Sequence, residues 1–186
     1  MSKQPIQSVL SHLKERHLNV ELHRPIVDEK NGTATLFLYN VSGQLVGYQQ
    51  YNPSGDKKTN NSKEKGRYYT YKSKQLNTVV LWGVESLYQS NGVVYLTEGV
   101  YDAARLTNRG QSALATLTNN PPKDYRNYLK LLNRPIVVVC DNDSAGRKLA
   151  KYGDYVEVVP SEYKDLGESP ESYVTYLIEK YSSKTK

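Results

Sequence analysis

The feature that most constrains this chain is a rhythm in its second half. Between residues 93 and 181, four apolar strand-like runs alternate with helical patterns. The most demanding run is PIVVVC (135–140), which has no polar position. A strand without a polar face has to be covered on both sides, as in the middle of a parallel sheet. The other strand-like runs are VVYLT (93–97), SALATL (112–117) and YVEVV (155–159). Helices are expected at 100–110, closed by Gly110, and at 121–132, opened by Pro121. Two more are expected at 144–153, closed by Gly153, and at 169–181, with Ser169 as cap and Pro170 in the first turn. Short βα units of this kind give an α/β fold: a mostly parallel sheet flanked by helices.

The first half has a different character. Val9, Leu10, Leu13 and Leu18 recur at roughly helical spacing, which predicts an amphipathic helix over 6–18. ATLFLYN (34–40) and QLVGYQQY (44–51) read as strands joined by a turn at Val41-Ser42-Gly43. The polar stretch 52–66 has no apolar anchor and reads as a mobile loop. The change near residue 90 divides the chain into a small α+β lobe (1–90) and an α/β domain (91–186).

Several classes are excluded. No apolar run reaches the roughly 18 residues of a membrane span, so no membrane partner is expected. The N-terminus lacks the apolar core of a secretory signal. Cys140 is the only cysteine, so a disulfide framework and a cysteine-rich zinc site are out, and a reducing cytoplasm is the expected compartment. Cys140 itself reads as a small buried hydrophobe. His12, His17 and His23 show no metal-ligand spacing and read as surface or packing residues.

In open α/β sheets functional groups collect at the carboxyl ends of the strands. Glu98-Gly99 follows the first run, Asp141-Asn142-Asp143 the third, and Lys164-Asp165 comes soon after the fourth. Three strand ends thus deliver carboxylates to one edge. Packed carboxylates repel one another and need a countercharge. Oxygen ligands without nearby His or Cys indicate Mg²⁺ or Mn²⁺ rather than zinc. Such a cation suits phosphoryl or nucleotidyl transfer, or phosphodiester hydrolysis. Glu98, Asp141 and Asp143 are the candidate catalytic residues, and with Asp165 the candidate metal ligands. Gly99 and Gly146 would let the backbone approach a metal or phosphate. A lone Asp-x-Asp can equally be a turn or cap.

A second cluster lies upstream. Between 57 and 74, Lys57, Lys58, Lys63, Lys65, Arg67, Lys72 and Lys74 face one acid, Glu64; that surplus equals the whole chain's net charge of +6. Tyr68, Tyr69 and Tyr71 adjoin it, in a chain with 17 Tyr and 1 Phe, and alternation would put Tyr69 and Tyr71 on one face of a strand. Cations beside aromatics suit single-stranded nucleic acid, because charges track phosphates and rings stack on bases. The plain alternatives are a solvated charged loop and tyrosines that belong to the core.

"LTEGVYDAARL" followed by "VVVCDNDSAGRKLA" resembles the TOPRIM domain shared by bacterial-type primases, topoisomerases and several nucleases; the resemblance covers 91–170. Glu98, Asp141 and Asp143 match its acidic positions, and Asp102 matches an Asp common in primases. Lys164-Asp165-Leu166-Gly167-Glu168 is similar to a later acidic segment of primases, except that Gly167 stands where a second Asp is usual. "HLKERHLNVE", "LFLYNVSGQLVGYQQY" and "VVLWGVESL" resemble, in order, segments of the primase N-terminal lobe. In RYYTYKSKQLNTV, Asn77 lies near the usual position of a basic residue. The resemblance implies a DNA primase-like nucleotidyltransferase. It would make short primers on single-stranded DNA from nucleoside triphosphates, with a divalent metal. It also implies a replication protein of a bacterial or phage-infected cell. Lacking the family's zinc and helicase-binding modules, it would work with a separate zinc-binding protein or a replicative helicase. The alternatives are a TOPRIM metal-dependent nuclease and a non-catalytic single-strand-binding accessory protein.

Overall fold

The computed structural model describes residues 8–40, 42–59, 62–74 and 79–184. Among them are two four-stranded sheets. The first is antiparallel, in the order β1 (Ile26–Asp28), β2 (Thr33–Tyr39), β3 (Leu45–Tyr51), β4 (Tyr68–Lys72). The second is parallel and contains β5 (Val94–Thr97), β6 (Ala113–Ala115), β7 (Ile136–Cys140) and β8 (Tyr155–Val158), in the order β6-β5-β7-β8. The helices are α1 (Val9–Glu15), α2 (Val20–His23), α3 (Val100–Thr107), α4 (Asp124–Leu131) and α5 (Glu171–Tyr181).

The apolar run 135–140 is indeed the central strand, buried at every position of β7. Its side chains alternate between two cores, as a strand's period of two requires. Val137 and Val139 pack toward α3 and α5, with Tyr95, Ala104 and Leu177. Ile136, Val138 and Cys140 pack toward α4, with Leu96, Leu129 and Leu149. The first core also receives Leu36 and Leu38 of β2 and Leu13 of α1, so the antiparallel sheet docks on the α3 side. Residues 79–82 stitch the sheets together. Leu81 pairs with Tyr39 and Trp82 with Ala115 in isolated bridges.

The structure corrects several expectations at helix ends and loops. The first helix spans only Val9–Glu15, and the chain reverses at His17, which has φ 61. Val41 of the expected hairpin turn and Asn77 lie outside the described residues. The stretch 52–66 is more structured than a free loop. It contains a 3-10 turn at Lys57–Thr59, and Asp56 and Gly66 form a bridge. The segment expected as a helix over 144–153 is a 3-10 helix, Gly146–Tyr152. Ser169 does not cap the last helix. Its hydroxyl donates to the Leu166 carbonyl at 2.8 Å, and α5 begins after Pro170. Gly110 does end its helical segment, in the left-handed conformation with φ 74 that favours glycine. Helix α2 and strand β1 were not anticipated; with four and three residues they are too short to carry a periodic signal.

The three histidines pack, as expected. His12 Nε2 lies 2.8 Å from the Tyr51 hydroxyl. His23 is buried against Trp82, between Glu85 and the Thr107 hydroxyl. Cys140 is buried and free. No helix among the described residues is long and apolar enough to cross a membrane.

Candidate active site

Parallel pairing of β5 with β7 brings Leu96 opposite Val138. The chain leaves both strands at the same edge, so Glu98 and Asp141 emerge side by side. Asp143 turns back: its carboxylate accepts the Gly146 backbone N–H at 2.5 Å. Asp165, on the loop after β8, caps a 3-10 turn by accepting the Glu168 N–H at 2.9 Å. Asp102, in the first turn of α3, is buried and accepts the Gly167 N–H at 2.7 Å.

Apart from Asp143, which is exposed and does not line it, these groups share one cleft of about 470 Å³, lined on this side by Glu98, Asp102, Asp141, Lys164, Asp165 and Glu168. Crowding is visible in their electrostatics. Burial, then the charges of Asp141 and Asp143, push Glu98 up to about 7. Burial, then Asp165 and Asp143, push Asp141 up to about 6, against the pull of Lys164. Burial, then Asp141 and Asp165, push Asp102 up to about 7, although the Gly167 N–H and Arg16 favour its charged form. Lys164 spans Asp165 at 3.4 Å and Glu168 at 3.5 Å.

The opposite wall comes from the antiparallel sheet and α1. Gln49, Tyr68 and Thr70 line it, with Lys57 and Arg16. Arg16 lies at the end of α1, and its guanidinium sits 3.9 Å over the Tyr101 ring. Tyr51 stands 5.1 Å from Tyr101 and 5.2 Å from Tyr68, so the cation is set among three tyrosines. Sequence reasoning did not single out Arg16. The signal was present in HLKERHLNVE, but nothing local says that this side chain crosses to the carboxylates.

The expected basic and aromatic residues divide between two faces. Lys57 reaches the cleft, where the charge of Lys164 holds its ammonium below the usual lysine range. Lys58, Lys63, Lys65, Lys72 and Lys74 are exposed and do not line the cleft. Arg67 is half-buried and donates to the Gly55 carbonyl at 3.1 Å. Tyr69 and Tyr71 lie on the far side of the sheet. Tyr71 pairs with Tyr48 and stacks on it at 5.4 Å, whereas Thr70 pairs with Gln49 toward the cleft. Adjacent strand residues face opposite ways, so Tyr68 and Thr70 are the cleft residues.

Both glycines, Gly99 and Gly146, stand close to the acidic residues. A Cβ on Gly146 would stand 2.8 Å from the Asp141 carbonyl oxygen, and one on Gly99 2.6 Å from an Asp102 carboxylate oxygen. Gly99 also lines the cleft.

Among the described residues no three acidic, His or Cys side chains form a ready-made metal cage. The donor set nevertheless fits a hard divalent cation. Neither Glu98 nor Asp141 has an ion pair among the described residues, and both are raised, first by burial and then by neighbouring carboxylates. Mg²⁺ usually takes only one or two protein carboxylates and keeps several waters.

Neither a family model nor a curated protein sequence matches the chain. Solved structures do match. The Escherichia coli primase catalytic core superimposes with TM-score 0.57 at 16% identity, over 80% of this chain and 48% of that one. A DnaG primase catalytic domain bound to single-stranded DNA gives TM-score 0.63 at 15% identity, over 98% and 76%. The primase fragment of the bacteriophage T7 primase-helicase protein gives 0.54 at 17%, over 81% and 62%. The chain therefore spans about half the length of the Escherichia coli core. With its two sheets in this arrangement, the chain has the TOPRIM-containing fold of bacterial and phage primase catalytic cores.

Proposed function

We propose that this protein is a primase-type nucleotidyltransferase that extends short primers on single-stranded DNA. One observation carries the reading: strand-end carboxylates, with Lys164 beside them, face Arg16 and Lys57 across a single cleft. That combination suits a substrate rich in phosphate whose own charge is neutralised from both sides.

Glu98, Asp141 and Asp143 would hold Mg²⁺ or Mn²⁺, with Asp165 beside them. When bound, the cation supplies countercharge to the triphosphate and to the attacking primer hydroxyl. Lys57, Lys164 and Arg16 bind and orient the phosphates. Asp102 positions the loop that carries Asp165, through the Gly167 amide. Tyr68 and Thr70 contact the strand or nucleotide from the facing sheet. In this reading residues 1–90 are the primase-like lobe and 91–186 the TOPRIM domain. The partners are a template strand, nucleoside triphosphates, and a helicase or a separate zinc-binding protein, since the T7 neighbour derives from a primase-helicase.

The test is primer synthesis on mixed-sequence single-stranded DNA with labelled nucleotides, wild type beside Asp141→Ala. Metal-dependent oligomers from the wild type alone support the reading. A shortened template without oligomers indicates a nuclease. Metal-independent binding with neither product indicates an accessory module, which the hydrogen bonds already engaging Asp143 and Asp165 would favour.

A further inference from the structure

The carboxylate cleft has a basic neighbour that the proposed chemistry does not use. The 3-10 helix Gly146–Tyr152 carries Arg147, Lys148 and Lys151, and α4 beside it carries Arg126 and Lys130. All five are exposed. None has a carboxylate partner among the described ion pairs, whereas Arg105, Arg109, Lys164 and Lys180 each have one.

The five cations form a continuous line. It starts at the cleft rim, where Arg147 donates to the Asn142 side chain at 3.2 Å, between Asp141 and Asp143. Lys148 and Lys151 are three apart on a 3-10 helix, so their side chains eclipse along one face. Lys151 is held by the Asn120 side chain at 2.8 Å, and the Arg126 guanidinium donates to the Lys151 carbonyl. Arg126 and Lys130 are four apart on α4 and therefore neighbours on its surface. The line ends in a second cavity of about 230 Å³, lined by Arg126, Lys130, Lys151 and Tyr152 and by one acid, Asp154, whose carboxylate accepts the Ile136 N–H at 2.8 Å and, among the described residues, forms no ion pair with the cations. Ile136, at the start of β7, also lines this cavity, which places it at the opposite end of the strand from Asp141.

Unpaired like charges in a row repel one another, so the arrangement favours a polyanion that bridges them. From 147 to 151 the 3-10 rise covers about 8 Å, or two to three nucleotides at 3.4 Å each. We propose that Arg147, Lys148, Lys151, Arg126 and Lys130 form a second phosphate-tracking surface, which leads the backbone of a nucleic-acid strand away from the carboxylate cleft. This rests on the reading of the cleft as a polynucleotide site and extends it. The strand is gripped on both sides of the chemistry, with Lys57 on one side and this stripe on the other. The contacts are to phosphate alone and carry no sequence preference.

The test is fluorescence anisotropy of the full chain with labelled single-stranded DNA of about 8 and about 30 nucleotides, across a NaCl series. Wild type is compared with the triple variant Lys130→Gln, Lys148→Gln, Lys151→Gln, which leaves Arg126 and its backbone contact intact. The expected result is about tenfold weaker binding of the long strand at 100 mM salt. Its log–log salt slope should become shallower by about 2, near 0.7 for each lost contact, with the short strand unaffected. Lys148→Glu alone should weaken the long strand more than Lys148→Gln, which guards against misfolding of the triple variant. An unchanged slope in the triple variant, with wild-type binding intact, overturns the stripe and leaves the primase reading standing. Equal losses for short and long strands also overturn it. Absence of any DNA binding by the wild type overturns both.

Discussion

The carboxylate of Asp102 meets the backbone amide of Gly167 at 2.7 Å, across 65 positions of sequence. The contact ties the first turn of α3 to the loop that carries Asp165. It also explains what Gly167 does at a position where primases usually have an Asp. A Cβ there would lie 3.2 Å from Asp165 Oδ1 and 3.3 Å from Asp102 Oδ1, so a third carboxylate would join two already crowded ones. Gly167→Asp should lower the melting temperature in EDTA, and added Mg²⁺ should recover more of that loss than it gives the wild type. Differential scanning fluorimetry with and without Mg²⁺ reads this; a Gly167→Asp protein indifferent to Mg²⁺ would contradict the crowding.

Asp102→Asn keeps an oxygen for the Gly167 amide and removes a buried charge, whereas Asp102→Ala leaves that amide unpaired. The alanine variant should be less stable than the asparagine variant by about 1–3 kcal/mol in urea unfolding. Equal stabilities would mean that the bond adds nothing.

Asp141 combines stability and function with opposite signs. Its carboxyl is raised to about 6, above the value near 4 of an unfolded chain. The folded state therefore binds this proton more tightly, and metal-free stability from this group is gained as pH falls from about 7 toward 4. Asp141→Asn should abolish primer synthesis. In EDTA at pH 7.5 it should raise the melting temperature by about 2–4 °C, the shift expected for about 1 kcal/mol in a chain of this size. The gain should fall to roughly half by pH 5 and approach zero only near pH 4, where the unfolded carboxyl is protonated as well. Comparing the two proteins at each pH cancels His12 and His17, whose values are lowered chiefly by burial and act in the opposite direction. A gain that is undiminished at pH 4 would sink the electrostatic account.

The parity of β4 separates two tyrosines. Tyr68→Ala should cut primer synthesis about tenfold or more, because the side chain lines the cleft. Tyr71→Ala, on the outer face and 48% exposed, should leave it within about twofold. Steady-state synthesis rates decide, and a larger effect at Tyr71 would reverse the facing assigned to the strand.

Arg134 acts far from the chemistry. It donates to the carbonyls of Gly92 at 2.7 Å, Leu87 at 3.1 Å and Val93 at 3.1 Å, and to the Ser90 hydroxyl at 3.3 Å. These bonds fasten the segment leading into β5. Arg134→Ala should destabilise the protein by about 1–3 kcal/mol, since several half-buried acceptors lose a charged donor. Urea unfolding measures it; a loss below about 0.5 kcal/mol would show that water replaces the guanidinium.

The alternation of apolar runs in 93–181, the buried run at 136–140 and the carboxylates after three of the four strands were legible from local pattern, because burial on one or both faces imposes a period on the chain itself. The same logic identified β2 and β3 and the glycine at the end of α3. Helix ends were less legible. The 3-10 form of 146–152 depends on Gly146 fitting against the Asp141 backbone, a contact no periodicity encodes.

The sequence by itself determined which residues alternate and where acids leave the sheet. Tertiary structure decided which alternating face looks into the cleft, so that Tyr68 and Thr70 lie inside and Tyr69 and Tyr71 outside. It also brought Arg16 from α1 over Tyr101, 85 positions away by number, and set the Gly167 amide on Asp102. The physical reason is common to all three. A strand or helix pattern defines a face, but its partner is chosen by long-range packing of the two sheets, where the energy of burial and of buried hydrogen bonds is realised only after distant segments meet.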